Sequence, residues 1–241
     1  MKHTASLLII LLLLSAFAEA REGSKKCTCR RHLPHLCAKH FGRVWKIESE
    51  SDGYTARFMN DTLELIAPKG LTLWHKKKMK GNVTITYFAR VMDEGHPEDR
   101  LSDLNCFWMA SDPKARSVFG RMKQRKGIFT NCYALQLYYM GYGGNSNTTT
   151  RFRRYDGNEK GIDNPSERPA VLKEYTDSAH LLRPNRWYYI VLKRTGNRIR
   201  YFIDDECLVD YIDPNPLTEG WFGFRTTWSR TQITGFTYRE E

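Results

Sequence analysis

The sequence predicts an all-β protein, an antiparallel β-sandwich of jelly-roll type. Short segments of alternating apolar and polar residues recur along most of the chain, separated by Gly, Pro, Asn and Asp. Helical periodicity is nearly absent, since only about residues 113–123 have the pattern of a helical turn or two. No internal repeat typical of propellers or solenoids is visible. Many short strands with such turns indicate a sandwich or jelly roll.

The alternating segments place the strands in order along the chain. We expect strands at Asp61–Ala67, Asn82–Val91, Trp187–Lys193, Arg198–Ile203, Cys207–Tyr211, Trp221–Trp228 and Gln232–Tyr238. The fourth and fifth of these are joined by the acidic residues 204–206 and predict a hairpin. Two long loops, residues 94–104 and 157–169, contain Gly and Pro, and long loops at the edge of a rigid β scaffold commonly contact ligands.

The N-terminal residues differ in composition from the rest. Residues 1–20 combine a basic start, an apolar run from Leu7 to Leu14 and an A-x-A cleavage pattern that ends at Ala20, which predicts a signal peptide. The apolar run is too short for a bilayer, which needs about 20 residues. We therefore expect a periplasmic or secreted protein with no membrane span.

Two further segments follow the signal peptide. Residues 21–40 form a basic leader containing Cys27, Cys29 and Cys37, and residues 41–241 form the jelly-roll domain. The six cysteines of the chain permit up to three disulfides outside the cytosol, and their pairing stays open. The leader cysteines do not have a standard zinc spacing. We therefore predict no metal and no cofactor, and no clear acidic loop supports the structural calcium that the fold could accommodate.

The charge of the chain indicates an acidic partner. There are 38 Lys and Arg residues against 27 Asp and Glu residues, which gives a formal net charge of +11. Nucleic acid is the common partner of a basic protein, but export favours an acidic polysaccharide or oligosaccharide over nucleic acid. The 13% of aromatic residues argue against a disordered chain, because such residues bury much apolar area.

Candidate ligand-binding residues cluster in the segment 137–157. On a strand, Arg151, Arg153 and Tyr155 share one face, whereas Phe152 faces the core. The two arginines would project together into a groove, where each guanidinium can bind a carboxylate through two hydrogen bonds. Asn145, in the preceding turn, is a further candidate for contact with the ligand.

Two other segments supply further candidates for substrate binding. In residues 223–230 we expect Arg225 to face the groove and Trp228 to lie at its edge, where an indole can stack on a sugar ring. In residues 101–112 the candidates are Asn105, for hydrogen bonding, and Trp108, for stacking.

His180 and Tyr139 are the candidates for proton transfer. Cleavage of a uronate polysaccharide by β-elimination requires a base next to the carboxylate and positive charge to stabilise the anion. We expect His180 to be the base and Tyr139 the acid. Glycoside hydrolysis instead requires two facing carboxylates, and the candidates Asp103, Asp156 and Asp177 cannot be placed from the sequence.

Four segments resemble a family of bacterial domains. Residues 101–112, 139–157, 174–177 and 217–230 are similar to the YesU-type proteins of rhamnogalacturonan utilisation, which have a concanavalin A-like jelly-roll fold. The resemblance covers about residues 45–238. It implies a secreted or periplasmic carbohydrate-active protein, but no catalytic residue is carried over from it.

These observations predict a protein that binds an acidic, uronate-containing polysaccharide such as pectic rhamnogalacturonan. Cleavage by a lyase-type β-elimination is the favoured activity. The alternatives are a non-catalytic glycan-binding module and a glycoside hydrolase, since the fold hosts lectins, hydrolases and lyases alike.

Overall fold

The computed structural model describes residues 36–241, and every one of its long elements is a strand. The predicted signal peptide, Cys27, Cys29 and most of the predicted leader lie outside the described residues. The strands are β1 (Trp45–Ser49), β2 (Thr55–Met59), β3 (Thr62–His75), β4 (Met79–Lys80), β5 (Val83–Val91), β6 (Leu104–Ser111), β7 (Gln136–Gly143), β8 (Thr149–Asp156), β9 (Val171–Tyr175), β10 (Tyr188–Thr195), β11 (Arg198–Ile203), β12 (Glu206–Ile212) and β13 (Glu219–Glu240).

Helical structure is limited to single turns. The α-helical turns are α1 (Phe41–Val44), α2 (Met122–Arg125) and α3 (Lys160–Asp163), and the 3-10 turns are Ala38–His40, Thr130–Ala134, Pro165–Glu167 and Ser178–His180. A further turn, Gly144–Asn147, contains residues with left-handed backbone angles. Within the described part of the chain, no helix has the length and apolar character needed to cross a membrane.

The strands form two antiparallel layers. Sheet I has the order β12-β11-β10-β5 followed by the second half of β13, the first half of β3, and β2. Sheet II has the order β9-β8-β7-β6 followed by the first half of β13, the second half of β3, and β1. The predicted all-β sandwich is thus confirmed.

Strands β3 and β13 belong to both sheets. Phe224 of β13 pairs with Cys106 of β6, whereas Ile233 of the same strand pairs with Ala89 of β5. The change occurs at a bulge, where the register shifts between Thr227 and Ser229. A bulge bends a strand and increases its twist, which lets one strand continue from one layer into the other.

Aromatic side chains from the two inner faces fill the space between the sheets. The ring of Trp108 in sheet II stacks on that of Tyr201 in sheet I, with centroids 6.3 Å apart. The ring of Phe152 in sheet II packs at a tilt against that of Tyr211 in sheet I, with centroids 5.7 Å apart. Each fully buried large apolar side chain contributes about 1.5–3 kcal/mol to stability, so this row of rings is a major part of the driving force for the sandwich.

The outer face of sheet II is partly covered by residues 113–135, which we call the cap. Buried residues of the cap, including Val118, Cys132 and Tyr133, form a second apolar cluster with Phe107 and Tyr155 of the sheet. The sequence did not reveal this cover, because its turns are too short to show helical periodicity. The cap determines how much of the outer face is open to solvent.

A buried ionic network holds the cap on the sheet. Arg125 of α2 is 3% exposed, and its Nη2 lies 2.8 Å from Oε2 of Glu48 on β1. A second contact joins Arg125 Nη1 to Asp112 Oδ2 at 3.3 Å. Glu48 also accepts a hydrogen bond from Trp74 Nε1 at 2.9 Å. Because every member of the network has partners, these contacts offset the free-energy cost of removing the charges from water.

Three of the cysteines are thiols in the structure. Cys106 and Cys132 are buried and Cys207 is exposed, and none of them forms a disulfide with another described residue. Burial raises the pKa of Cys106 to about 12 and that of Cys132 to about 11. These two side chains therefore act as small apolar groups in the core.

Removal of the Glu48 carboxylate should strongly destabilise the protein. The variant Glu48→Ala leaves the buried Arg125 with a weakened set of partners, and breaking a buried ion pair from one side costs about 3–5 kcal/mol. Urea denaturation followed by tryptophan fluorescence measures this loss. The control Asp210→Ala removes the exposed partner of Arg198 and should leave the free energy of unfolding close to the wild-type value. Equal effects of the two substitutions would contradict this role of Glu48.

Protonation of His75 should destabilise the fold in mild acid. His75 is 2% exposed among aromatic rings, and this burial lowers its pKa from 6.5 to about 4. Between these pH values the unfolded chain binds a proton that the native chain does not, so the free energy of unfolding falls by up to about 3 kcal/mol as the pH falls. Denaturant titrations at several pH values should show this slope in the wild type and a flatter profile in His75→Phe. An unchanged slope in the variant would assign the pH dependence to other groups.

Candidate functional site

A cavity of about 460 Å³ opens on the outer face of sheet II, beside the cap. We call it the arginine cavity, because its lining includes the side chains of Arg100, Arg151, Arg153, Arg168 and Arg225. Phe129, Thr130 and Tyr133 of the cap form one wall, and Gly144, Asn145 and Ser146 form another. Asp103 is the one carboxylate among the described lining residues.

The floor of the cavity is a row of four residues on four neighbouring strands. Arg225 on β13 pairs with Asn105 on β6, which pairs with Gly141 on β7, which pairs with Arg151 on β8. Neighbouring strands are about 4.8 Å apart. The row therefore carries a guanidinium at each end and an amide and bare backbone in the middle.

Arg225 is the most deeply buried cation of the site. Its side chain is 2% exposed, and Nη1 donates to the carbonyl oxygen of Gly127 at 2.6 Å and to Thr72 Oγ1 at 3.3 Å. The guanidinium also lies over the ring of Phe129, 5.6 Å from its centroid. No carboxylate oxygen of a described residue lies within 4.0 Å of it. A buried cation without an anionic partner is costly, and an anionic ligand would offset this cost.

The other arginines differ in their partners. Arg100 pairs with Asp103 at 2.5 Å, and Arg151 pairs with Glu174 at 2.5 Å. Arg153 donates to the carbonyl oxygen of Pro169, and Arg168 donates to that of Gly161 at 3.4 Å. Neither Arg153 nor Arg168 has a carboxylate within ion-pair distance among the described residues. Three of the five guanidiniums are thus available to an anion.

Asn105 presents an unpartnered acceptor in the floor. Its Nδ2 donates to Asp103 Oδ1 at 3.1 Å, which fixes the orientation of the amide, since a carboxylate accepts hydrogen bonds. The residue is 6% exposed, and its Oδ1 is buried with no hydrogen-bond partner in the structure. A buried acceptor of this kind is satisfied by a ligand that carries a hydroxyl group.

Tyr139 lies across the floor above Gly141. A Cβ atom on Gly141 would overlap the hydroxyl group of Tyr139, so glycine at this position leaves room for the phenol ring. Burial raises the pKa of Tyr139 well above its ordinary value, and Asp103 adds to this shift. The hydroxyl group makes no hydrogen bond to another described residue, which makes it a neutral donor facing the cavity.

The wall formed by the Gly144–Asn147 turn is fixed by the loop between β9 and β10. Asn145, Ser146 and Asn147 have positive φ angles of 52°, 57° and 59°. Asn147 Oδ1 accepts from Leu182 N at 2.8 Å, and its Nδ2 donates to the carbonyl oxygen of Leu182 at 2.9 Å. This pair of hydrogen bonds ties the turn to residue 182.

The structure brings six of the predicted site residues together in the arginine cavity. They are Asn105, Tyr139, Asn145, Arg151, Arg153 and Arg225. Trp228 lies at the bulge in β13, 54% exposed, with the Arg100 guanidinium 5.4 Å from its ring centroid. Trp228 does not line the cavity itself but, through Arg100, adjoins its rim.

Two predicted ligand contacts, Trp108 and Tyr155, do not line the arginine cavity. Trp108 is 1% exposed on the inner face of β6, because its position differs by an odd number from that of Asn105. Tyr155 is on the cavity side of β8, but it is fully buried beneath the cap, where its ring packs 5.3 Å from that of Tyr133. The alternation of β6 was visible in the sequence, whereas the cover over Tyr155 was not.

The structure does not bring the predicted base, His180, together with the predicted acid, Tyr139. His180 does not line the arginine cavity but a separate cleft of about 330 Å³ beside Glu206. Both ring nitrogens face carboxylates there, at 2.7 Å to Asp177 Oδ1 and 2.9 Å to Glu206 Oε1. The strand pairing that separates His180 from Tyr139 cannot be read from a single sequence.

Sequence reasoning missed several lining residues. Arg100 comes from the loop before β6, and Arg168 comes from the loop before β9. Both loops stood out by their length, but no local pattern distinguishes these two arginines from others nearby. Phe129 and Tyr133 are four residues apart in the cap. This spacing places two side chains on the same face of a helical turn, and it was the sequence feature that could have indicated them. No group of three or more His, Cys, Asp or Glu side chains within residues 36–241 is arranged to hold a metal ion.

Two bacterial proteins of known structure have a fold similar to that of this chain. A Bacillus subtilis protein of unknown function with a galectin-like fold superposes with a TM-score of 0.67 and 14% identity, over 86% of this chain and 93% of that one. The carbohydrate-binding module CBM66 of Bacillus subtilis gives a TM-score of 0.53 and 13% identity, over 81% and 95% of the two chains.

A lumenal domain shows the same likeness. The exoplasmic/lumenal domain of VIP36, in a form bound to Ca²⁺ and Man3GlcNAc, gives a TM-score of 0.57 and 12% identity, over 87% of this chain and 90% of that one. At such low identities these comparisons establish the fold alone. No curated protein matches the sequence.

The family model of the domain of unknown function DUF6250 matches residues 65–236. This range runs from within β3 to within β13 and includes every strand of the cavity floor. The chain therefore belongs to the DUF6250 family.

Proposed function

We propose that the arginine cavity binds the acidic residues of a uronate-containing polysaccharide, and that the domain acts by binding and not by cleavage. The observation that carries this proposal is Arg225, a cation 2% exposed at the cavity floor with no carboxylate partner. An arginine can hold a carboxylate through two parallel hydrogen bonds. Arg153 and Arg168 provide further unpaired guanidiniums in the same cavity.

A uronic acid also suits the polar groups between the arginines. The unpartnered Oδ1 of Asn105 requires a donor, and the hydroxyl groups of a sugar ring provide one. The phenol of Tyr139 can donate to a sugar oxygen, since its raised pKa keeps it protonated. A uronic acid carries a carboxylate and hydroxyl groups on one ring, whereas a simple anion such as sulfate has no O–H group to donate to Asn105.

The comparisons support a saccharide as the ligand class. CBM66 is named as a carbohydrate-binding module, and the VIP36 domain was solved with a bound mannose-containing oligosaccharide. The sequence resemblance to proteins of rhamnogalacturonan utilisation makes pectic rhamnogalacturonan the first polysaccharide to examine. These relations concern other proteins, and the charge of the cavity is what favours an acidic glycan for this one.

The chemistry of the cavity argues against cleavage. β-Elimination needs a base within reach of the substrate, and no histidine is among the described residues that line the cavity. Tyr139 is a poor base because burial favours its protonated form. Hydrolysis needs two carboxylates, but Asp103 is alone in the lining and is held by Arg100, Ser102 and Asn105.

Binding should depend on the unpaired arginines. We expect Arg153→Gln to weaken binding of oligogalacturonate about tenfold or more, because a hydrogen-bonded charge is removed from the contact with the carboxylate. Arg225→Gln should have at least this effect. Isothermal titration calorimetry with oligogalacturonate, rhamnogalacturonan fragments and a neutral galactan oligosaccharide measures both the loss and the preference for acidic sugars.

The control for this prediction is Arg198→Gln. It removes the same charge from an exposed position on β11, where Arg198 pairs with Asp210. Arg198→Gln should bind like the wild type. Equal losses of affinity in Arg153→Gln and Arg198→Gln would show that binding depends only on the net charge of the protein. Equal affinity for acidic and neutral sugars would overturn the proposal.

Incubation with acidic polysaccharides should yield no unsaturated product. A lyase creates a 4,5-unsaturated uronate that absorbs in the ultraviolet, so we expect a flat absorbance trace with every uronate polysaccharide that the protein binds. A rising trace that is lost in Tyr139→Phe would instead make Tyr139 a catalytic residue and the domain a lyase.

A further inference from the structure

His180 lies outside the arginine cavity in an arrangement that holds two parts of the fold together. Its Nδ1 is 2.7 Å from Asp177 Oδ1, and its Nε2 is 2.9 Å from Glu206 Oε1. A neutral imidazole has one N–H group and can donate to just one of these carboxylates, whereas the imidazolium donates to both. The geometry of this group is therefore that of a protonated histidine.

One further contact and three charged groups complete the surroundings of this ring. The Tyr175 ring of β9 stacks on it, with centroids 4.1 Å apart. The other charged groups that face the same cleft are Asp204, Asp205 and Arg186, and Arg186 pairs with Asp204 at 2.7 Å. The hydrogen bond to Glu206 raises the pKa of His180, and that to Asp177 adds to the shift. Acidic groups thus dominate the surroundings of the imidazole.

A chain of hydrogen bonds leads from His180 to the cavity wall. The carbonyl oxygen of His180 accepts from Thr150 Oγ1 at 2.7 Å, and this Oγ1 accepts from the backbone N–H of Gly143 at 3.1 Å. Two residues further along, Leu182 is bonded on both sides to Asn147. Gly143 and Asn147 flank the turn that supplies Gly144, Asn145 and Ser146 to the cavity.

We infer that His180 is a positioning residue for the arginine cavity. Its imidazolium, held between Asp177 and Glu206, fixes the β9–β10 loop and, through this loop, the Gly144–Asn147 wall. The cavity therefore binds its acidic ligand more tightly below neutral pH than above. This inference rests on the proposed function. Loss of the proton leaves one nitrogen facing a carboxylate without a hydrogen between them, which releases either Asp177 or Glu206.

The cavity itself cannot supply such a pH dependence. Its charged lining residues are five arginines, which stay protonated in proteins, and Asp103, which pairs with Arg100. Uronate carboxylates titrate in acid, well below the range of histidine. A change of affinity between about pH 5 and about pH 8 therefore reports on a histidine.

The test is the affinity for oligogalacturonate as a function of pH in four proteins. For the wild type we expect binding to weaken by about two- to fivefold from pH 5 to pH 8, the range that an exposed ion pair contributes to an equilibrium. His180→Gln should bind at the weaker level throughout. A wild-type affinity that does not change with pH overturns the inference.

Glu206→Gln separates the positioning effect from simple attraction by charge. This substitution removes a negative charge, so long-range electrostatics alone would strengthen binding of an anion, whereas loss of the ion pair with the His180 imidazolium should weaken it at acidic pH. Asp210→Asn is the matched control, because it removes a carboxylate from the same strand without touching His180. Tighter binding by Glu206→Gln at acidic pH overturns the inference.

A second measurement keeps the inference separate from the proposed function. If no variant binds oligogalacturonate at any pH, the proposed function fails. Amide hydrogen exchange of Gly143 and Leu182 then tests, without a ligand, whether His180 holds the wall in place. After correction for the intrinsic rate, both amides should lose protection above neutral pH in the wild type and should be poorly protected at every pH in His180→Gln. Protection that is the same in both proteins overturns the positioning role.

Discussion

Strands β3 and β13 each contribute hydrogen bonds to both sheets, and the position where they cross from one layer to the other organises the site. At the bulge in β13 the backbone of Trp228 has a φ angle of 42°, and its indole points to solvent. Arg100 donates to the carbonyl oxygens of Thr227 at 2.8 Å and Trp228 at 3.0 Å. The bend therefore creates free carbonyl groups that bind one of the cavity arginines. Arg225 lies three residues before the bulge, on the part of β13 that forms the cavity floor.

Two buried arginines on the same face of the sandwich have opposite surroundings. Arg125 is surrounded by Glu48 and Asp112, so its charge is neutralised within the protein and it fastens the cap. Arg225 contacts a carbonyl oxygen, a hydroxyl group and an aromatic ring, none of which is an anion. Gly127 links the two, since its N–H donates to Glu48 and its carbonyl oxygen accepts from Arg225. The anchored cap thus holds the uncompensated guanidinium in place.

The sequence predicted the elements whose signals are local. The alternation of β8 indicated that Arg151 and Arg153 share a face opposite Phe152, and the structure places all three in this way. The contact between Glu48 and Arg125 joins residues 77 positions apart, and no periodicity reports it. The separation of His180 from Tyr139 likewise depends on strand order. Trp108 differs from these cases, because the alternation of β6 alone is enough to place it on the face opposite Asn105.

The floor of the cavity also limits how the site can change during evolution. Each strand beneath the ligand alternates a cavity residue with a core residue, as with Asn105 beside Cys106 and Arg151 beside Phe152. A substitution at an outward position alters the ligand contacts and leaves the core intact. Insertion of one residue early in β8 would instead turn arginine side chains towards the core and Phe152 towards the cavity. New ligand specificities in this family are therefore expected to arise by point substitution in these strands and by changes of length in the loops that contribute Arg100 and Arg168.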